Sequence, residues 1–153
     1  MDAQALVTEA IALHQEIGEQ ARLAHAQAFA GYVARGLGEY TLAQHYFFQA
    51  LQSTDRHHGF LTLLFALPGI ALLLADEGET ERAIEIYAQI ADVPLVANSQ
   101  MRWDLAGAQL AGVAATVPPE VASAARARSR ADDLWATAAA LLVELGRRRW
   151  NTR

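Results

Sequence analysis

The sequence predicts an all-α fold: one domain of helical hairpins stacked as a right-handed α-α superhelix and closed by a long C-terminal capping helix. Three observations predict it. Hydrophobic residues make up 53% of the 153 positions, and the excess is largely alanine, a strong helix former. A pattern of apolar residues with helical spacing recurs at a step of forty residues. Each full copy of that pattern follows a glycine-containing turn, and an apolar helical stretch precedes the turn.

The pattern is clearest in residues 37–52, LGEYTLAQHYFFQALQ. Ala43, Phe47 and Ala50 stand at offsets of 0, 4 and 7, which share one face of a helix. Forty residues on, Ala83, Tyr87 and Ile90 occupy the same offsets; forty back, Ala3, Val7 and Ala10 do. The turns correspond too, Gly38-Glu39-Tyr40 with Gly78-Glu79-Thr80. In the helices before them, Leu23 matches Leu63 and Ala30-Gly31 matches Ile70-Ala71. The repeating unit is therefore helix, tight turn, helix. Ala43 marks a close approach of the two helices, Phe47 a wedge where they diverge, and Ala50 a second close approach.

In chain order, residues 2–18 are the second helix of a half repeat. A half repeat leaves an apolar face bare, the expectation for a piece of a longer chain; a short protein whose first helix caps the stack is the alternative. Repeat one spans 19–53, with helices over 19–35 and 40–53, and residues 53–59 turn into repeat two. Repeat two spans 60–92. Its first helix, 60–75, contains Pro68, which either kinks the helix or stands at the first turn of a helix starting at residue 67. Its second helix is 80–92. A loop over 92–99 offers Asn98 or Ser99 as the next cap. The third helix pair and cap cover 99–146. A helix over 100–116 ends at Val117-Pro118-Pro119. One long helix then runs from Pro119 to Gly146 along a stripe including Val121, Ala124, Ala125, Arg128, Ala138, Leu141 and Leu145. Residues 147–153 form a basic tail.

The glycine, small and aromatic positions resemble the tetratricopeptide repeat. Repeat one supplies Gly31, Gly38, Ala43, Phe47 and Ala50 at the pattern's places; repeat two supplies Ala71, Gly78, Ala83, Tyr87 and Ile90. The forty-residue period, against thirty-four, and the missing repeat proline are departures. Longer repeats of this kind are similar to those in the C-terminal arms of large bacterial regulators: MalT- and LuxR-like activators, antibiotic-regulatory activators and signal-transduction ATPases. Residues 117–146 are similar to the closing segment of such arms. The resemblance implies a scaffold whose concave groove is lined by the first helix of each pair. Mapped here, its wall includes His25, Ala28, Tyr32 and Arg35, then Phe65, Pro68, Leu72 and Ala75, then Leu105, Ala108 and Gly112. His25, Tyr32, Arg35 and Phe65 would bind a protein, a peptide or a small effector, since aromatics and arginine dominate binding energy at interfaces. The alternative is that the cap helix fills the groove and these residues pack within the chain.

Composition narrows the chemistry. The chain has no cysteine, which excludes disulfides and thiolate metal sites and suits a cytoplasmic location. The longest apolar stretch, residues 60–75, is shorter than the roughly 18 residues of a membrane span, so no membrane association is expected. No phosphate-binding glycine loop, nucleophile elbow or metal-ligand spacing occurs, so no catalytic residue, metal or cofactor is expected. His57-His58 reads as a solvated turn, and the acids at residues 76–81 as an exposed turn running into a helix start. Residues 1–120 carry five arginines against fourteen carboxylates; residues 121–153 carry seven against three. Arg126, Arg128 and Arg130 alternate, so on a helix they spread around it, and direct nucleic-acid binding is not expected. Two functions fit: a non-catalytic interaction or effector-sensing module, or a homodimer paired through residues 2–18.

Overall fold

The computed structural model describes residues 2–17, 20–54, 59–129 and 133–147. Among these, all regular structure is helical: α1 (Ala3–Ile17), α2 (Gln20–Gly36), α3 (Tyr40–Gln52), α4 (Phe60–Asp76), α5 (Thr80–Ala91) and the single turn α6 (Pro94–Ala97). One further helix is built from α7 (Gln100–Arg102), a π-helical segment (Trp103–Gly107) and α8 (Ala108–Ala114). It is followed by α9 (Pro119–Ser129) and α10 (Leu134–Arg147). The chain divides into two compact units, residues 1–66 with 138–153, and residues 67–137. The boundaries fall inside α4 and α10.

Local chemistry makes two turns that match bond for bond. At the first, Gly38 has φ of 79°, its N–H donates to the Arg35 carbonyl at 2.9 Å, and the Glu39 N–H donates to the Ala34 carbonyl at 2.9 Å. At the second, Gly78 has φ of 87°, its N–H donates to Ala75 at 3.0 Å, and the Glu79 N–H donates to Leu74 at 2.9 Å. This is the Schellman ending of a helix, which needs a left-handed residue and so favours glycine. In both copies the next residue, Glu39 or Glu79, starts the following helix, its carbonyl accepting from Ala43 or Ala83.

In the first unit, Asp2 caps α1 by accepting the Ala5 N–H at 2.7 Å. α1 packs on α2, and α2 on α3. Ala43, Phe47 and Ala50 are completely buried, as the repeat pattern requires. Phe47 fits because Gly31 has no side chain: a Cβ there would stand 2.7 Å from the Phe47 ring. From α10, Leu141 and Leu145 are buried, and a Cβ added at Gly146 would lie 3.6 Å from the Phe48 ring of α3, an ordinary contact. In the second unit, α5 packs against α8 and α9. Ile84, Ala122 and Ala125 form a buried cluster there, flanked by Ala114 and Val117. Arg128 of α9 reaches Glu85 at 2.6 Å and Glu81 at 3.2 Å on α5. Its guanidinium pKa is raised, first by the hydrogen bond to Glu85.

Several boundaries differ from expectation, each for a physical reason. α4 begins at Phe60 and runs through Pro68, so the late start at residue 67 does not occur. This helix is apolar on every face, and burial from Thr62 to Leu74 holds it despite the missing N–H. The 92–99 loop contains α6, started by Pro94 at its first turn. Ser99 is the next cap, accepting the Arg102 N–H at 3.3 Å. The helix expected over 100–116 contains the π segment and ends at Ala114.

The long capping helix expected over 119–146 is a correction. α9 ends at Ser129, and Asp133 opens α10, its carboxylate accepting the Trp135 N–H at 3.3 Å. The buried residues explain the break. They are Ala122, Ala125 and Ser129 in α9 and Ala138, Leu141 and Leu145 in α10, both at offsets 0, 3 and 7. The two sets start sixteen residues apart, so in one continuous helix they would lie about 160° out of phase. Separate helices let each bury its own face. Val121, Ala124 and Arg128, placed on the expected stripe, are accordingly not buried. α10 also runs one residue past Gly146, to Arg147. His57-His58, the Gly18 helix end, Arg130 and the tail beyond Arg147 lie outside the described residues.

Candidate functional site

The expected groove residues His25, Tyr32, Arg35 and Phe65 all lie in the first unit. Steps of four and three along α2 put His25, Phe29 and Tyr32 on one face. All three rings meet Phe65 from α4. His25 stacks on it at 4.4 Å between centroids and 17° between planes, Phe29 at 6.4 Å and 6°, and Tyr32 tilts against it at 5.3 Å and 54°. The Tyr32 hydroxyl donates to the Phe65 carbonyl at 2.7 Å, and its ring meets Phe47 edge-on at 5.2 Å. The accepting carbonyl lies within α4, three residues before Pro68. Arg35, half-buried, lies one turn beyond Tyr32 at the C-terminal end of α2.

Three of the four residues thus form one cluster, and Arg35 stands at its edge along α2. The cluster has two layers. Phe65 is 2% exposed and belongs to the core, whereas His25 is exposed and Phe29 is 40% exposed. What it presents to solvent is one imidazole and one phenyl face, held in place by a buried ring. Ala28, Pro68 and Leu72, expected beside them, are buried outright. Phe29 is the member that the groove positions overlooked, and its place between His25 and Tyr32 on the same helical face was the available signal.

A second site lies wholly within the second unit and has no counterpart in the sequence reading. A partly open cavity of about 230 Å³ is bordered by α5, the π segment with α8, and α9. α5 contributes Ile84, Tyr87, Ala88, Ala91 and Asp92, offsets that share one face. Trp103, Gly107 and Leu110 form the opposite wall, and α9 adds Arg126. The π segment shapes that wall. Its wider turn lays the Trp103 ring over Gly107, where a Cβ would meet Trp103 Cε3 at 2.7 Å and the Tyr87 hydroxyl at 2.8 Å. Such π bulges recur at functional sites. Burial raises the Tyr87 pKa above its ordinary 10.0, so its phenol stays protonated. Tyr87, Ala91 and Trp103 also border a more open cleft, completed by Val96, Asn98 and Ser99.

Compared with known proteins, the chain matches no family model, no curated protein and no solved structure. Among the described residues, no group of three or more histidines and carboxylates could hold a metal ion. No helix of the described residues is long and apolar enough to cross a membrane.

Proposed function

We propose that this chain is a non-catalytic interaction or effector-sensing module of tetratricopeptide-like hairpins, coiled in a right-handed superhelix and belonging to a larger cytoplasmic bacterial regulator. The observation that carries this reading is the identity of the two Schellman turns forty residues apart, each followed by a fully buried alanine, Ala43 or Ala83. A turn reproduced in bond pattern and spacing is what a repeating scaffold requires. The contact surface we assign is the His25, Phe29 and Tyr32 face over Phe65, with Arg35 at its edge, facing a protein or peptide partner. Selection of peptides from a random library on the purified chain tests this assignment. Selected peptides should lose at least about tenfold in affinity against Phe29→Ala and Arg35→Ala, the scale of an interface anchor. Peptides indifferent to both substitutions would remove this face from the reading.

A second reading is a homodimer paired through α1, favoured by Leu6, which is 53% exposed on a helix whose Val7 face is buried. Light scattering across a hundredfold concentration range, on the chain and on Leu6→Glu, decides it: a monomer throughout excludes pairing.

A further inference from the structure

We propose that the cavity in the second unit is a binding site for a small aromatic carboxylate. This goes beyond the partner-binding reading and stands apart from it, because the two sites share no residue. The volume, about 230 Å³, exceeds the roughly 150 Å³ at which an apolar cavity already admits benzene. Its walls are two aromatic rings, Tyr87 and Trp103, with aliphatic residues of α5 and α8 between them. Trp103 is 47% exposed where the cavity meets the outer cleft, which supplies an entry route.

Two polar features select the ligand. The Tyr87 hydroxyl sits at this cavity beside Gly107, and among the described residues nothing hydrogen-bonds to it. The hydroxyl reaches solvent rather than being buried unpaired, and a ligand oxygen can take the place of the water it meets. The second feature is Arg126. Two positions further on α9, Arg128 is matched to Glu81 and Glu85, whereas no described carboxylate pairs with Arg126. Ala125, its neighbour, lies in the buried cluster with Ile84, and Arg126 itself lines the cavity. Asp92 stands eight residues after Ile84, about 12 Å further along α5. Both charges line the cavity: a ligand carboxylate meets the Arg126 guanidinium, and a second negative charge would also face Asp92. A flat ring with a single carboxylate satisfies the walls, the phenol and the arginine together.

The experiment is calorimetric titration of the full chain with 2-naphthoate, its neutral alcohol analogue 2-naphthalenemethanol and the cationic 2-naphthylmethylamine. Naphthoate should bind at least about tenfold more tightly than the other two, the difference expected of a charge-assisted hydrogen bond. Arg126→Gln, a change at an exposed residue, should erase that preference. Ala88→Leu, which fills the cavity, should abolish binding of all three while circular dichroism shows the helices intact. If naphthoate fails to bind the folded chain at millimolar concentration, the site is overturned. If it binds equally well to Arg126→Gln, or no better than the amine, the assignment of a carboxylate is overturned. Unchanged binding by a folded Ala88→Leu places the ligand elsewhere and overturns the cavity.

Discussion

The turns at residues 33–43 and 73–83 share their hydrogen bonds, yet the aromatic side chain four residues beyond each behaves differently. In the first copy Phe47 is completely buried against Gly31, the residue that vacates its space on the preceding helix. In the second copy Ala71 stands where Gly31 did, and Tyr87 is half-buried with its hydroxyl at Gly107. The glycine that accommodates the ring has moved from the preceding helix to the one that follows. One scaffold therefore supports two outcomes. A closed wedge leaves a packed core, and an opened one leaves a cavity with a phenol in its wall. Turns are set by local backbone chemistry, whereas the destination of a large side chain is set by which neighbour gives way.

Five measurements break or sharpen this contrast. The largest effect is expected of Phe47→Ala, a loss of about 3–5 kcal/mol in urea denaturation. Tyr87→Ala should cost clearly less, because its ring already borders a cavity; equal losses would mean the two wedges do the same work. Next comes Gly31→Ala, at about 1–3 kcal/mol from overpacking against the Phe47 ring. Part of that loss should return in Gly31→Ala/Phe47→Leu, and a double variant no better than Gly31→Ala alone would deny the direct contact.

Gly38→Ala and Gly78→Ala should each cost about 1–2 kcal/mol, the strain of a left-handed non-glycine residue. The two losses should agree closely, and a marked inequality would show that the turns are alike in outline only. Tyr32→Phe removes one hydroxyl donated to the Phe65 carbonyl and should cost about 0.5–1.5 kcal/mol, read by thermal denaturation. The smallest effect is in alkali. Tyr87 ionises above 10.0 when folded and near 10.0 when unfolded. The unfolded chain releases its proton first, so this contribution is intact below that pH and declines as pH rises through the folded value. Tyr87→Phe should flatten the decline, and an unchanged alkaline profile would show that burial does not hold the phenol neutral.

Much of the scaffold was legible because its signals are short-range. Gly38 and Gly78, each a few residues before an alanine and an aromatic on one helical face, announce a Schellman turn without reference to anything distant. The aromatic cluster was legible in part: the repeat resemblance singled out His25, Tyr32 and Phe65, but the stacking of Phe29 on Phe65 depends on how α2 and α4 lie together. The cavity was not legible at all. It needs a π turn at Trp103–Gly107, and nothing in WDLAG distinguishes that from an ordinary helical stretch.

By itself, then, the sequence determined the helices from α1 to α5 and the two turns between them, since each depends on residues within a few positions of one another. Tertiary structure alone decided that α9 and α10 separate, because two buried faces about 160° out of phase cannot be served by one straight helix. It also decided that Phe47 is sealed while Tyr87 opens onto a cavity. Both outcomes turn on which side chains meet across helices far apart in the chain, and periodicity along one helix carries no record of its neighbour's shape.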